Sequence, residues 1–258
     1  MSTAAQALDS PRDALPPLRG IKLVLFTLAM GMATFMEVLD ISIVNVSVHT
    51  IAGNMGVSTS EGTWAISAYA LSSAIAQPLT GWLARRFGEV RLFCTSISLF
   101  VVFSMLCGMA NSMIMLVIFR LLQGVVSGPL VPLTQTLLLK HYPVEKRSMA
   151  IGLWAMTVVV APICGPILGG WLTDNYSWPW IFYINIPVGM LSLGLSLWLL
   201  KGRESRTTRV PVDVVGLGLL IVGVGALQFM LDNGNDHDWF SSPMIVTLGI
   251  VALSLIHI

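Results

Sequence analysis

Seven long apolar stretches follow one another along the chain, and this pattern constrains the fold more than any other feature. They run at approximately Ile21–Val48, Gly62–Ala84, Leu92–Met109, Met113–Leu139, Ser148–Leu172, Ile181–Leu200 and Val214–Leu231. A helix needs about 20 mostly apolar residues to cross a bilayer. Each stretch therefore reads as a membrane span. An eighth begins at Pro243 and has 16 residues when the chain stops at Ile258. Charged residues make up only 10% of the chain. Soluble domains carry about 25%. A soluble enzyme, a disordered chain and a nucleic-acid binder with a basic face are thereby excluded. The sequence predicts an all-α polytopic membrane protein.

The charges fix a topology. Thirteen of the fourteen Lys and Arg residues sit before the first span or after spans two, four and six. They are Arg12, Arg19 and Lys22, then Arg85, Arg86 and Arg91, then Lys140, Lys146 and Arg147, then Lys201, Arg203, Arg206 and Arg209. The other connections contain none. The positive-inside rule then places the N-terminus in the cytoplasm. Trp64, Trp171, Trp178, Trp180 and Trp239 fall at the outer boundary, with Trp82 and Trp198 at the inner one. Residues 1–20 are polar and Pro-rich, with no cleavable signal peptide evident. They read as a cytoplasmic tail ahead of a six-helix unit at 21–200. A basic linker at 201–213 precedes a helix pair at 214–258, the second helix truncated.

Three ionisable residues lie at membrane depth: Glu37 and Asp40 on span one, and Arg120 on span four. A charge there costs at least ~2.5–3.5 kcal/mol on insertion scales, so it faces a cavity or a partner. Spacing of three puts Glu37 and Asp40 on one helical face. Asp40 lies nine residues before His49, and Arg120 nine after Asn111. At 1.5 Å per residue both sit about 13 Å below the outer surface and can pair if their helices are neighbours. The arrangement reads as a proton site, and which carboxylate carries the proton stays open. A static ion pair that orders the bundle is the alternative.

Weaker signals fit a helical bundle. Gly124–Gly128 and Gly165–Gly169 match the small-xxx-small pattern of close helix packing. Cys94, Cys107 and Cys164 fall in apolar runs, without metal-ligand spacing. No nucleophile with a base and no His/Asp metal cluster is visible. The reading is not an enzyme, with no cofactor and no metal.

Six short motifs resemble the major facilitator superfamily, and within it the fourteen-helix drug/proton antiporter family of the EmrB/QacA type. Leu39-Asp40-Ile41-Ser42-Ile43-Val44-Asn45-Val46 is similar to the LDxTIVNVAxP signature of span one. Gly81-Trp82-Leu83-Ala84-Arg85-Arg86-Phe87-Gly88, with Arg91 beyond, resembles the gating loop GxLaDRxGrr, with Arg85 where an Asp is usual. Arg120-Leu121-Leu122-Gln123-Gly124 resembles RxxqG. Gly165-Pro166-Ile167-Leu168-Gly169-Gly170 resembles the antiporter motif GPxxGG. The stretch from Trp180 to Gly189 is similar to WIFxINxPIG. Leu231-Asp232 and Asp238-Trp239-Phe240 resemble the LDxGxxxDWF loop of EmrB-like members.

The resemblance implies a multi-pass protein of the bacterial inner membrane. It implies export of amphipathic or lipophilic drugs in exchange for protons by alternating access. In a two-membrane envelope it implies a periplasmic adaptor and an outer-membrane channel as partners, and no nucleic acid. Family members carry a second six-helix bundle. The sequence therefore reads as the N-terminal part of a pump of about twice the length. A half-size protein acting as a dimer, and a superfamily metabolite transporter of other specificity, are the alternatives.

Overall fold

Helices begin and end here where glycine, proline and capping side chains allow. The computed structural model describes residues 18–205, 207, 208 and 213–257. Arg12, Arg206, Arg209 and Ile258, most of the tail at 1–20 and part of the linker lie outside the described residues. The helices are α1 (Ile21–Met55), α2 (Thr59–Gly62), α3 (Trp64–Ala76), α4 (Thr80–Phe87), α5 (Glu89–Gly108) and α6 (Met113–Ser127). They continue with α7 (Leu130–His141), α8 (Arg147–Asn175), α9 (Trp180–Tyr183), α10 (Asn185–Leu199), α11 (Val214–Asn233) and α12 (Pro243–His257). No strand occurs among the described residues. The chain is an all-α polytopic membrane protein.

Among the described residues, six helical segments are long and apolar enough to cross a membrane: Ile21–Met55, Glu89–Gly108, Met113–His141, Val144–Asn175, Trp180–Leu199 and Val214–Asn233. The expected second span is there but broken. Pro78 sits in a 3-10 turn, Gln77–Leu79, that separates α3 from α4. The shorter α12 starts at its proline, as expected.

Two expectations need correction. The first span does not end at Val48, and His49 lies inside α1. No proline interrupts residues 49–55, and Ile51 and Ala52 are buried. The helix runs on until Gly56, whose φ of 67° closes it. There Gly56 N donates to Gly53 O and Val57 N to Ala52 O, the two bonds of a Schellman cap. The second correction concerns the gating loop, because helix continues past Ala84, the expected end of span two. Gly81, Arg85 and Arg86 are helical in α4, and Arg91 lies in the first turn of α5. Only Gly88, with φ of 97°, forms the turn. No proline stands between Thr80 and Phe87, and Gly81 falls in the first turn, so the helix persists.

Capping fixes other ends. Ser112 Oγ accepts from Met115 N at the start of α6, and Asp213 Oδ1 from Gly216 N at the start of α11. Ser58 and Glu61 form a capping box at α2. The Ser58 backbone amide and hydroxyl donate to the Glu61 carboxylate and hold its pKa below the usual value.

α1 runs through the middle of the bundle. It packs along α8 and α10, while α3 packs along α6, and α5 lies against α6 and α10. α11 packs on α12 and touches α3. Glycines permit the close pairs. A Cβ on Gly124 would lie 2.5 Å from Tyr69 O, and one on Gly128 2.8 Å from Ser73 O, so α6 presses on the backbone of α3. The small-xxx-small pattern there is a helix contact.

One apolar cluster holds Phe26, Met30, Met36, Phe93, Phe100 and Leu137. A second holds Ile43, Ile51, Leu116, Ile181 and Phe182. Along α1, the first ends at Met36 and the second begins at Ile43. The polar layer lies between them. Basic residues after spans two, four and six gather at one end of the bundle. Lys140 Nζ meets Glu89 Oε1 at 2.6 Å, and Thr208 N donates to Arg85 O at 2.9 Å.

Candidate functional site

Asp40 is fully buried, and Arg120 is 1% exposed. Arg120 Nη1 donates to Asp40 Oδ2, so the pair expected from the sequence is formed. The guanidinium is held from several sides. Its Nη1 also reaches Gln123 Oε1 at 2.8 Å, and its Nε donates to Ala65 O at 3.1 Å. Its carbon lies 4.1 Å from the ring centre of Tyr69. This stacking adds a cation–π attraction in a water-poor setting.

The other carboxylate oxygen is held as well. Asp40 Oδ1 accepts from Asn185 Nδ2 at 2.8 Å and from Gln123 Nε2 at 3.4 Å. Asn185 Nδ2 also donates to Ser104 Oγ at 2.9 Å, and Ser104 Oγ to Phe182 O at 2.9 Å. Helices α1, α5, α6 and α10 thus meet in one hydrogen-bonded layer. Such a network stabilises when its members are satisfied and is costly when one is lost.

Glu37 stands apart from this satisfaction. It is 6% exposed, one turn before Asp40, and its Oε2 has no hydrogen-bond partner among the described residues. The buried set therefore holds two carboxyls and one guanidinium. It is electrically neutral only with one proton bound. Repeated gain and loss of one proton is the chemistry that such a set can perform.

An apolar groove of about 670 Å³ opens between α1 and α8. Leu23, Leu28, Met32 and Phe35 of α1 and Met149 and Leu153 of α8 form its walls. Tyr142 and Lys146 line it near Gly20, where α1 begins. Trp154 Nε1 donates to Thr34 Oγ1 at 3.1 Å and ties the two walls together. Phe35 is five residues from Asp40, about 7.5 Å along the helix.

The family profile of the Major Facilitator Superfamily matches residues 30–255. The chain belongs to the major facilitator superfamily. It is 55% identical over 237 residues to the multidrug export protein EmrB of Escherichia coli (strain K12), covering 92% of this chain and 46% of that protein. It is 55% identical over 238 residues to the fatty acid resistance protein FarB of Neisseria gonorrhoeae, covering 92% of this chain and 47% of that protein. The chain thus spans about half the length of these relatives. Among solved structures it resembles a peptide transporter POT in complex with sulfate. There the TM-score is 0.68 at 17% identity, over 98% of this chain and 55% of that one. A bacterial homologue of the lysosomal transporter Spinster has a TM-score of 0.58 at 17% identity, over 92% of this chain and 61% of that one. These likenesses concern the fold.

Within this facilitator-superfamily bundle, the sequence-predicted residues fall into three places. Glu37, Asp40 and Arg120 share the buried layer. Gly165, Pro166, Gly169 and Gly170 lie on α8, and the first and third press against α1. A Cβ on Gly169 would lie 2.9 Å from Ile43 Cγ1, whereas Gly170 faces open space. Gly81, Arg85, Arg86, Gly88 and Arg91 lie at the basic end of the bundle, remote in sequence from the layer. There the unforeseen Glu204 is central. Its carboxylate accepts from Val90 N at 3.0 Å and Arg91 N at 2.8 Å, and Ser205 Oγ accepts from Glu89 N at 3.2 Å. The start of the linker is thereby clasped onto the first turn of α5.

Sequence reasoning also missed the supporting ligands of Asp40. Gln123 and Asn185 stood inside two of the quoted motifs, which was their only signal. Ser104 and Tyr69 had none.

Proposed function

We propose that this chain forms part of a proton-coupled multidrug exporter. The observation that carries the reading is the buried layer in which Arg120 pairs with Asp40 while Glu37, one turn away, is buried with its Oε2 unpartnered among the described residues. Asp40 and Glu37 exchange the proton, and Arg120 and Asn185 hold Asp40 in place. The likeness to proteins named for multidrug export supports the transported class. Amphipathic or lipophilic drugs enter the groove between α1 and α8, whose wall reaches Phe35 on the helix that carries both carboxyls. Loading of drug and loading of proton then compete through the position of α1. Gly165, Pro166 and Gly169 form the tight contact on which α8 turns, with Gly170 beside it. The turn around Gly88, with Gly81, Arg85, Arg86 and Arg91, gates the basic end.

The positive-inside rule assigns that basic end, and the N-terminus, to the cytoplasm. Residues 21–200 act as one six-helix bundle, 201–213 as a linker and 214–258 as an added helix pair. Alternating access needs a second bundle across the groove. In a two-membrane envelope a periplasmic adaptor and an outer-membrane channel complete the route.

Amphipathic acids are a second substrate class. Lys146 supplies a cation to an otherwise apolar groove, and the relative named for fatty acid resistance fits that chemistry. Export is tested with the complete open reading frame that encodes the chain, in cells lacking other pumps. Cells should exclude a lipophilic dye only while a proton gradient is present. Exclusion that survives collapse of the gradient contradicts the reading.

A further inference from the structure

Helix α8 carries two prolines, Pro162 and Pro166. A proline has no amide hydrogen, so the carbonyl four residues before it loses its helical donor. Pro166 in this way strips the carbonyl of Pro162. That carbonyl is met from another helix. Ser42 Oγ of α1 donates to Pro162 O at 3.1 Å. The approach depends on a missing side chain. A Cβ on Gly165 would collide with Ser42 Oγ and lie 2.6 Å from Ser42 Cβ.

Other hydroxyls in the bundle do something more ordinary. Thr27, Ser47 and Thr173 donate to the carbonyl four residues earlier in their own helices. Hydroxyls within helices commonly bond back in this way. Ser42 reaches across to a carbonyl that α8 cannot satisfy itself. It also stands two residues after Asp40, about 200° around the helix. α1 thus turns Asp40 towards Arg120 and Asn185, and Ser42 towards the prolines of α8.

We propose that the Ser42 hydroxyl stands in for the amide donor that Pro166 removes, and that Ser42 is the positioning residue joining the helix of Asp40 to the proline-bearing segment 162–166. The link joins residues 120 positions apart in the chain. It is one hydroxyl bond rather than a backbone ladder, so α8 can pivot about it. The role in transport rests on the proton-coupled reading above. The complementarity of Ser42 and Pro166 does not.

The test is a double-mutant cycle with thermal unfolding of the purified chain in detergent. Ser42→Ala should lower the midpoint by about 2–4 °C, the effect of one lost hydrogen bond in a chain of this size. Ser42→Thr, which keeps the hydroxyl, should restore it. Pro166→Ala returns an amide donor to α8, so adding Ser42→Ala to it should cost less than half as much. Equal shifts in both backgrounds, or failure of Ser42→Thr to rescue, would overturn the proposal. Should a variant fail to purify, the native thiol of Cys164, between the two prolines, reports instead. Its alkylation in membranes should quicken several-fold in Ser42→Ala and return in Ser42→Ala/Pro166→Ala, and an unchanged rate overturns the proposal.

For the positioning role, Ser42→Ala should shift the pH profile of drug export in the complete reading frame, and Ser42→Thr should not. An unshifted profile overturns that role. Neither the unfolding cycle nor the alkylation involves drug or protons. Failure of the transport reading would therefore show separately, as export indifferent to Asp40→Asn with the cycle intact.

Discussion

Asn185 donates its side-chain amide to Asp40 at 2.8 Å, joining residues 145 positions apart in the chain. The same nitrogen bonds Ser104 Oγ at 2.9 Å, so one neutral side chain ties α1, α5 and α10 together. Asn185→Ala takes one donor from Asp40 Oδ1 and from Ser104 Oγ in a buried layer. It should destabilise the bundle by about 1–3 kcal/mol, read as a lower unfolding midpoint in detergent. Asn185→Asp should cost more, because it sets a third carboxyl beside Asp40.

Arg120 and Asp40 should behave as a unit. Removing one partner of a buried pair leaves an uncompensated charge and costs about 3–5 kcal/mol. Arg120→Leu should therefore abolish accumulation of folded protein. Arg120→Leu/Asp40→Leu should recover folding and remain inactive in export. Arg120→Lys should fold less well than wild type, because an ammonium cannot reach Ala65 O, Gln123 and Asp40 at once.

Glu37→Gln removes a titrating group that has no cation of its own. Folding should survive, because the network around Asp40 does not use Glu37. Export rates measured across external pH should lose part of their pH dependence. A profile identical to wild type would remove Glu37 from the proton site.

Two glycines of the same motif should respond oppositely to one methyl group. A Cβ on Gly165 collides with Ser42, whereas one on Gly170 meets nothing within 4 Å. Gly165→Ala should destabilise by about 1–3 kcal/mol, as overpacking does. Gly170→Ala should stay within about 0.5 kcal/mol. Thermal unfolding of both variants decides the point.

At the basic end, Gly88→Ala meets two obstacles. Its φ of 97° is strained for any other residue, and a Cβ would lie 2.5 Å from the Glu204 carboxylate. Gly88→Ala and Glu204→Ala should both release the linker, giving faster proteolysis between residues 201 and 208 with the bundle intact.

Much of this was legible because membrane spans announce themselves. Apolar runs placed α5, α8 and α11 to within three residues at each end. The pairing of Asp40 with Arg120 followed from opposite signs at similar depth. The end of α1 was misread because ordinary residues can prolong a helix beyond its apolar run, and only Gly56 halts it. The second span was read to end at Ala84 because Arg85 and Arg86 are charged, yet charge does not break a helix. Asn185, Gln123, Ser104 and Tyr69 carry no formal charge, so nothing in a hydropathy pattern marks them. Ser42 was quoted only as part of a motif. Its role depends on Gly165 and Pro166, more than a hundred residues away, and emerges only when α1 and α8 are seen side by side.

The central claim is that proton exchange at Asp40 drives export. The most direct measurement uses everted membrane vesicles carrying the complete reading frame, with an acid interior and a pH-sensitive dye. Adding a transported drug should discharge the gradient in wild type. It should leave the gradient unchanged in Asp40→Asn, at equal protein level. Equal drug-induced discharge in both would contradict the account.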